Sequence, residues 1–119
     1  MSGCKPLLMT LLYFQVISVS PSFAEPDFDT GKALFLQRCK PCHGEDGNGK
    51  TFAANALNPP PRNFTAEQSR KELTQERMLR SVTQGRPGTA MMPWKDILSE
   101  KEIQSVVHYI RREFMKLEN

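Results

Sequence analysis

The sequence predicts a single all-α domain. Three segments carry apolar residues at helical spacing behind recognisable caps. Glycine and proline punctuate the stretches between them. No segment alternates apolar and polar residues over six or more positions, as a half-buried strand would. A chain of 119 residues holds one such domain, and no internal repeat or low-complexity tract divides it.

The first helix is expected to take Asp29 as its N-cap and to run from Thr30 to about Pro41. Ala33, Leu34 and Phe35 give it an apolar side. Gly31 and Phe35 lie four apart and share a face. A glycine inside a helix costs about 1 kcal/mol against alanine, which makes sense where a second helix crosses closely; a frayed first turn would also tolerate it. The second helix is capped by Thr74 and spans Gln75 to about Gln84, with Met78, Leu79 and Val82 as one buried stripe. Gly85 ends it and Pro87 prevents its continuation. The third opens on a capping box, Ser99-Glu100-Lys101-Glu102. Ile103, Val106, Val107 and Ile110 mark its buried face, and Arg111, Arg112 and Lys116 suit its C-terminal dipole.

Two irregular stretches remain, Gly44 to Phe64 and Gly85 to Leu98. A loop of about 20 residues is long for a compact domain, and wrapping a cofactor is a reason for one.

The N-terminus reads differently from the rest. Lys5 is the only charge before Glu25, the segment from Leu7 to Val19 is mostly apolar, and Ser22-Phe23-Ala24 follows Pro21. This is the pattern of a secretory signal peptide, residues 1–24, cleaved after Ala24. A permanent anchor would need about 20 apolar residues, more than stand here. Cys4 precedes the apolar stretch and would leave with the leader, so residues 25–119 keep two cysteines, Cys39 and Cys42. Export to the periplasm follows as an expectation, with no membrane anchor left after cleavage. The net charge of +3 is weak and its basic residues are scattered, which argues against a nucleic-acid protein.

The chemistry-bearing element is Cys39-Lys40-Pro41-Cys42-His43, the C-x-x-C-H pattern of covalent haem attachment. On a helix, positions i, i+3 and i+4 project from one side. Two thiols can then add to the two vinyl groups of one haem while the histidine reaches its iron. Two other readings use the same residues. Cys39, Cys42, His43 and His108 could supply four zinc ligands, although structural zinc sites usually separate their ligand pairs. A Cys39–Cys42 disulfide suits an exported chain, but the βαβ context of a thioredoxin-like motif is absent. Haem is the expected occupant. Its sixth ligand would be a methionine of the Met91-Met92-Pro93-Trp94 cluster, since thioether opposite histidine is a known haem ligation. Met78 and Met115 read instead as core fillers, and His108, the alternative sixth ligand, as a surface or helix-packing residue.

Together these residues resemble the class I cytochromes c, small bacterial monohaem ones above all. The likeness covers about residues 28–115. It is carried by Gly31-Lys32-Ala33-Leu34-Phe35, Cys39-Lys40-Pro41-Cys42-His43-Gly44, Gly47-Asn48-Gly49, Pro60-Pro61-Arg62-Asn63-Phe64, Gly88-Thr89-Ala90-Met91 and Val107-His108-Tyr109-Ile110-Arg111. The resemblance implies the cytochrome c fold, helices wrapped round one haem c held through Cys39 and Cys42. The first and third helices would cross near Gly31, Phe35 and Tyr109, and His43 would be the proximal ligand. The second ring nitrogen of His43 would donate to a backbone carbonyl of the proline stretch, Pro59 or Pro60. The family commonly has proline after its ligand methionine, and here Met92 stands in that place. Alignment on Gly88-Thr89-Ala90, Trp94 and Leu98 selects Met91; alignment on Met-Pro alone selects Met92. Met91 is the expected iron ligand, Trp94 is expected beside the haem, and Arg62 is expected to face a propionate.

The implied function is one-electron transfer rather than enzymatic bond chemistry, by a monomer that docks weakly on donor and acceptor redox proteins. Lys40, Lys50, Arg86 and Lys95 could ring the haem edge and steer acidic partners. Two other functions stand beside the free carrier. One is a haem subunit fixed to a dehydrogenase or oxidase complex. The other is a ligand-binding haem sensor or enzyme whose sixth ligand leaves.

Overall fold

A computed structural model describes residues 3, 13–20 and 25–118. The cleavage site at 22–24 and most of the expected leader, with Cys4 and Lys5, lie outside the described residues. Among the described residues no helix is long and apolar enough to cross a membrane.

The fold is all-α, with no strand among the described residues. Helix α1 spans Phe28–Leu34 and passes without a break through a π-helical turn, Phe35–Cys39, into α2, Lys40–His43. A short 3₁₀ turn follows at Ala53–Ala56, then α3 (Glu67–Glu72), α4 (Gln75–Gln84) and α5 (Glu100–Glu113).

The first helix starts two residues earlier than its sequence predicts. Asp27, not Asp29, is the cap: its backbone is extended and its carboxylate accepts from the Thr30 amide at 2.9 Å. Asp29 lies inside the first turn, where a carboxylate still complements the helix dipole. The earlier start makes Phe28 helical and sets its ring 5.1 Å from that of Tyr109. At the other end the run passes Pro41 and reaches His43. Proline has no amide donor, and its ring presses on the carbonyl four residues back. The widened turn lies directly ahead of it, with the Lys40 amide reaching back five residues to the Phe35 carbonyl.

Helix α4 has the expected bounds and α5 the expected start, both with the expected caps; α5 ends at Glu113, so Lys116, with φ 56°, lies beyond it. Thr74 Oγ1 accepts from the Arg77 amide at 3.2 Å, and both arms of the Ser99–Glu102 capping box are formed. Ile103, Val106, Val107 and Ile110 are buried, as are Met78 and Met115. Helix α3 was not foreseen. Its six residues are Glu67-Gln68-Ser69-Arg70-Lys71-Glu72, Ser69 alone is buried, and Ala66 offers no side-chain cap.

The core forms where α1 crosses α5. A methyl group on Gly31 would fall on the Ser105 carbonyl of α5 and 2.9 Å from Tyr109 Cβ. The absent side chain lets the two backbones touch. The Phe35 ring then packs at 5.5 Å from Tyr109 and 5.0 Å from Phe114. Arg111 of α5 ties in the other helices, donating through Nη1 to the Leu73 carbonyl at 3.1 Å.

Candidate haem site

The α1–α2 run delivers Cys39, Cys42 and His43 to one side of the crossing. Both cysteines are free and half-buried. Burial pushes the Cys39 thiol up to about 12, and the neighbouring Cys42 adds to the shift. A thiol so held is protonated at neutral pH, unlike the low-pKa thiolate of a disulfide-exchange motif. Cys39, Leu79 and Val82 pack on the core while remaining partly open.

His43 is the most constrained side chain of the site. Its Nδ1 lies 3.3 Å from the Arg62 carbonyl oxygen. A carbonyl can only accept, so the contact places the proton on Nδ1 and leaves the lone pair on Nε2. The imidazole stacks on Phe64, centroids 4.6 Å apart and planes 17° apart. Burial holds its pKa below the ordinary value, opposed by the hydrogen bond to Arg62. The neutral ring is the form that binds metal.

The expected acceptor is thereby corrected. The proline stretch does supply the carbonyl region, but the oxygen that meets His43 belongs to Arg62, not to Pro59 or Pro60. Both of those prolines are exposed. The chain turns inward after Pro61, where the Phe64 amide bonds to the Gly47 carbonyl at 2.8 Å. The Arg62 side chain forms an ion pair with Glu72 of α3. In the sequence Phe64 stands out only as the last residue of the Pro60–Phe64 segment, and Glu72 does not stand out at all.

Along the same loop lies a cavity of about 740 Å³, bordered among others by Thr51, Ala54, Leu57 and Pro60. It adjoins the motif through Thr51, whose Oγ1 donates to the Cys42 carbonyl at 3.4 Å. None of Cys39, Cys42, His43 or Met91 borders it.

The methionine loop is built on the C-terminus of α4. Gly85 adopts φ +68°, and a Cβ there would lie 2.7 Å from both the Met91 carbonyl oxygen and the Pro93 nitrogen. The loop doubles back on itself: the Arg86 amide donates to the Met91 carbonyl at 2.9 Å, and the Met91 amide to Thr89 Oγ1 at 3.1 Å. The Trp94 amide returns to the Val82 carbonyl at 3.0 Å. Met91 and Trp94 are half-buried, whereas Met92 is 46% exposed.

The zinc reading finds no geometry to support it. Among the described residues no three His, Cys, Asp or Glu side chains gather as a metal-holding group. His108 stands on α5 with its ring edge-on to Phe28 at 6.3 Å. Of the four cations expected to ring the site, Lys40 pairs with Glu45 at 3.1 Å, while Lys50, Arg86 and Lys95 are exposed.

Two free thiols and a neutral imidazole with one nitrogen already engaged are the donor set that a covalently held haem needs. The comparisons with known proteins agree. Residues 26–110 match the family described as "Cytochrome C oxidase, cbb3-type, subunit III". The chain belongs to the c-type cytochrome family, whose cofactor is haem c and whose work is electron transfer. It is 35% identical over 77 residues to cytochrome c55X of Stutzerimonas stutzeri, covering 62% of this chain and 57% of that relative's length. The solved KustC0563 c-type cytochrome superimposes with a TM-score of 0.56 at 32% identity, over 68% of this chain and 93% of that one. A chain from the reducing HAO-like complex Kustc0457/Kustc0458 of Kuenenia stuttgartiensis does so with 0.58 at 29% identity, over 70% and 40%.

Proposed function

We propose that this protein is an exported one-electron carrier with a single haem c. Residues 1–24 are its signal peptide, residues 25–119 its haem domain, and the periplasm its compartment. Cys39 and Cys42 would hold the haem by adding S–H across its two vinyl groups, an addition that keeps every atom and needs no oxidant. His43 would ligate its iron through Nε2 and Met91 through its thioether sulfur. The haem supplies an iron that takes one electron from a donor and passes it to an acceptor. The chain's own residues hold the ligands fixed, so that little rearranges between the two charge states.

The observation that carries the reading is His43: Nδ1 spent on the Arg62 carbonyl, the ring stacked on Phe64, two free thiols on the same helical run. Met91 is favoured over Met92 because both its backbone groups are tied and its side chain is the less exposed. Trp94 would pack beside the haem. The Glu72 ion pair draws the Arg62 side chain toward α3, so a contact with a propionate is left out of the proposal.

A second reading keeps the same chemistry in a fixed subunit of a redox complex. It is favoured by the oxidase-subunit description of the matching family and by the likeness to a chain of a multi-protein complex.

The test is expression of the full chain in a host that attaches haem c, with spectra of wild type, Met91→Ala and Met92→Ala. Covalent haem with a low-spin methionine signature lost only in Met91→Ala is the expected result. Loss only in Met92→Ala would move the ligand by one residue, and absence of covalent haem despite good expression would sink the reading. Native purification separates the carrier from the subunit: a free monomer supports the first, recovery only within a large assembly the second.

A further inference from the structure

The carbonyl that orients His43 belongs to a residue whose own side chain is anchored elsewhere. Arg62 offers its backbone oxygen to His43 Nδ1 at 3.3 Å and its guanidinium to the Glu72 carboxylate. Glu72 is itself held: its other oxygen accepts from Gln68 Nε2 at 2.7 Å, and its backbone carbonyl accepts from Arg77 of α4 at 3.4 Å. The next residue is fastened to the same helix, since the buried Ser69 Oγ donates to the Asn63 carbonyl at 2.6 Å. Phe64, one further on, carries the His43 ring. Three consecutive residues thus join the imidazole on one side to α3 on the other. The Arg62 and Gln68 hydrogen bonds hold the Glu72 carboxyl below its ordinary value, so it is ionised at neutral pH.

We infer that Glu72 is a positioning residue for His43, acting through the Arg62 ion pair to fix the carbonyl that accepts the hydrogen bond from Nδ1–H. This rests on the proposed ligation by His43. The partner of the distal ring nitrogen sets both the orientation and the basicity of a ligating histidine. A tighter Nδ1–H···O bond makes the imidazole a stronger donor, which favours the ferric state and lowers the potential. Helix α3 holds no ligand and was invisible to the sequence reading. Its place in the molecule is explained by this anchoring.

The test uses the haem-loaded full chain as wild type, Glu72→Gln, the reversed pair Arg62→Glu with Glu72→Arg, and Glu76→Gln. Glu76 is an exposed carboxylate on α4 paired with Arg80, and it serves as a charge control. The readouts are covalent haem on a denaturing gel, the exchange rate of the His43 Nδ1 proton by NMR in the reduced protein, and the potential. In Glu72→Gln the exchange rate should rise about tenfold, the worth of one hydrogen bond near the upper end of its usual net strength, and the potential should rise with it. Loss of a negative charge alone would also raise the potential, so proton exchange decides. The reversed pair keeps net charge and salt link, and should return exchange to near the wild-type rate. Glu76→Gln should leave it unchanged. Exchange in Glu72→Gln within twofold of wild type would overturn the inference while His43 ligation stands. Should Glu72→Gln lose its fold by circular dichroism, the reversed pair decides: wild-type exchange supports the anchoring and fast exchange overturns it. A wild type without covalent haem would sink the ligation and this inference together.

Discussion

Gly31→Ala is the perturbation that most directly tests the α1–α5 crossing. Two opposing effects can be sized. Alanine is the better helix former by about 1 kcal/mol, so an unobstructed Gly31→Ala would stabilise the protein by that amount. In the structure the new methyl would fall on the Ser105 carbonyl oxygen and within 2.9 Å of Tyr109 Cβ. The first obstacle is backbone and cannot rotate away, so one helix must move. Overpacking of this kind costs roughly 1–3 kcal/mol, and a backbone obstacle sits at the upper end. The net expectation is a loss of about 2 kcal/mol, a fall in Tm of roughly 8–16 °C for a domain of this size. Exposed Ala33 on the same helix supplies the control, since Ala33→Gly should cost only about 1 kcal/mol. Both are read by thermal and urea unfolding of the haem-loaded protein. A Gly31→Ala variant that is more stable than wild type would refute the close crossing, whatever its other properties.

Three further outcomes are expected. The Thr30 hydrogen bonds hold Asp27 below the ordinary carboxylate value of 3.8, so its capping is at full strength above that pH and is lost as pH falls through the depressed value; Asp27→Asn should keep the cap and flatten that limb of a Tm-against-pH profile, and an unaltered acid limb would contradict the assignment. Ser99→Ala breaks one arm of the α5 capping box and should lower stability by about 1 kcal/mol in urea unfolding, with haem content unchanged. Phe64→Leu roughly conserves core volume, should cost no more than about 1.5 kcal/mol, and should broaden the low-spin electron paramagnetic resonance of the oxidised protein, because His43 loses its stacking surface; an unbroadened signal would deny Phe64 that role.

What the sequence made legible follows from where the information is local. Ser99 and Glu102 cap α5 through contacts three residues apart, and Thr74 does the same for α4. Such pairs are visible in a string of letters. The C-x-x-C-H element is legible for the same reason, since its geometry is one helical turn. Asp27 and Asp29 show the limit of that logic. Both are acceptable caps, and the choice fell to Asp27 because a helical Phe28 can reach Tyr109, 81 positions away. Helix α3 was missed because its six residues are polar and its cap is Ala66. It is held by Ser69 and Glu72 meeting Asn63 and Arg62, contacts that no periodicity announces. The acceptor for His43 was placed two or three residues too early, since nothing local says where a proline-rich chain turns inward.

The π-helical turn joins the crossing to the site. Gly31 and Phe35 must face α5, whereas Cys39, Cys42 and His43 must stay partly open to a haem. In a regular α-helix, residues i and i+4 share a face, so Phe35 and Cys39 would point the same way. The π turn Phe35–Cys39 closes with a bond from Lys40 to Phe35, five residues back, and so adds one residue to the turn. That extra residue rotates everything after it by about 100° relative to everything before it. One helical run can therefore bury Phe35 completely while leaving Cys39 half-open. The packing of α1 against α5 and the presentation of the motif are then separately satisfied within 16 consecutive residues, Phe28 to His43.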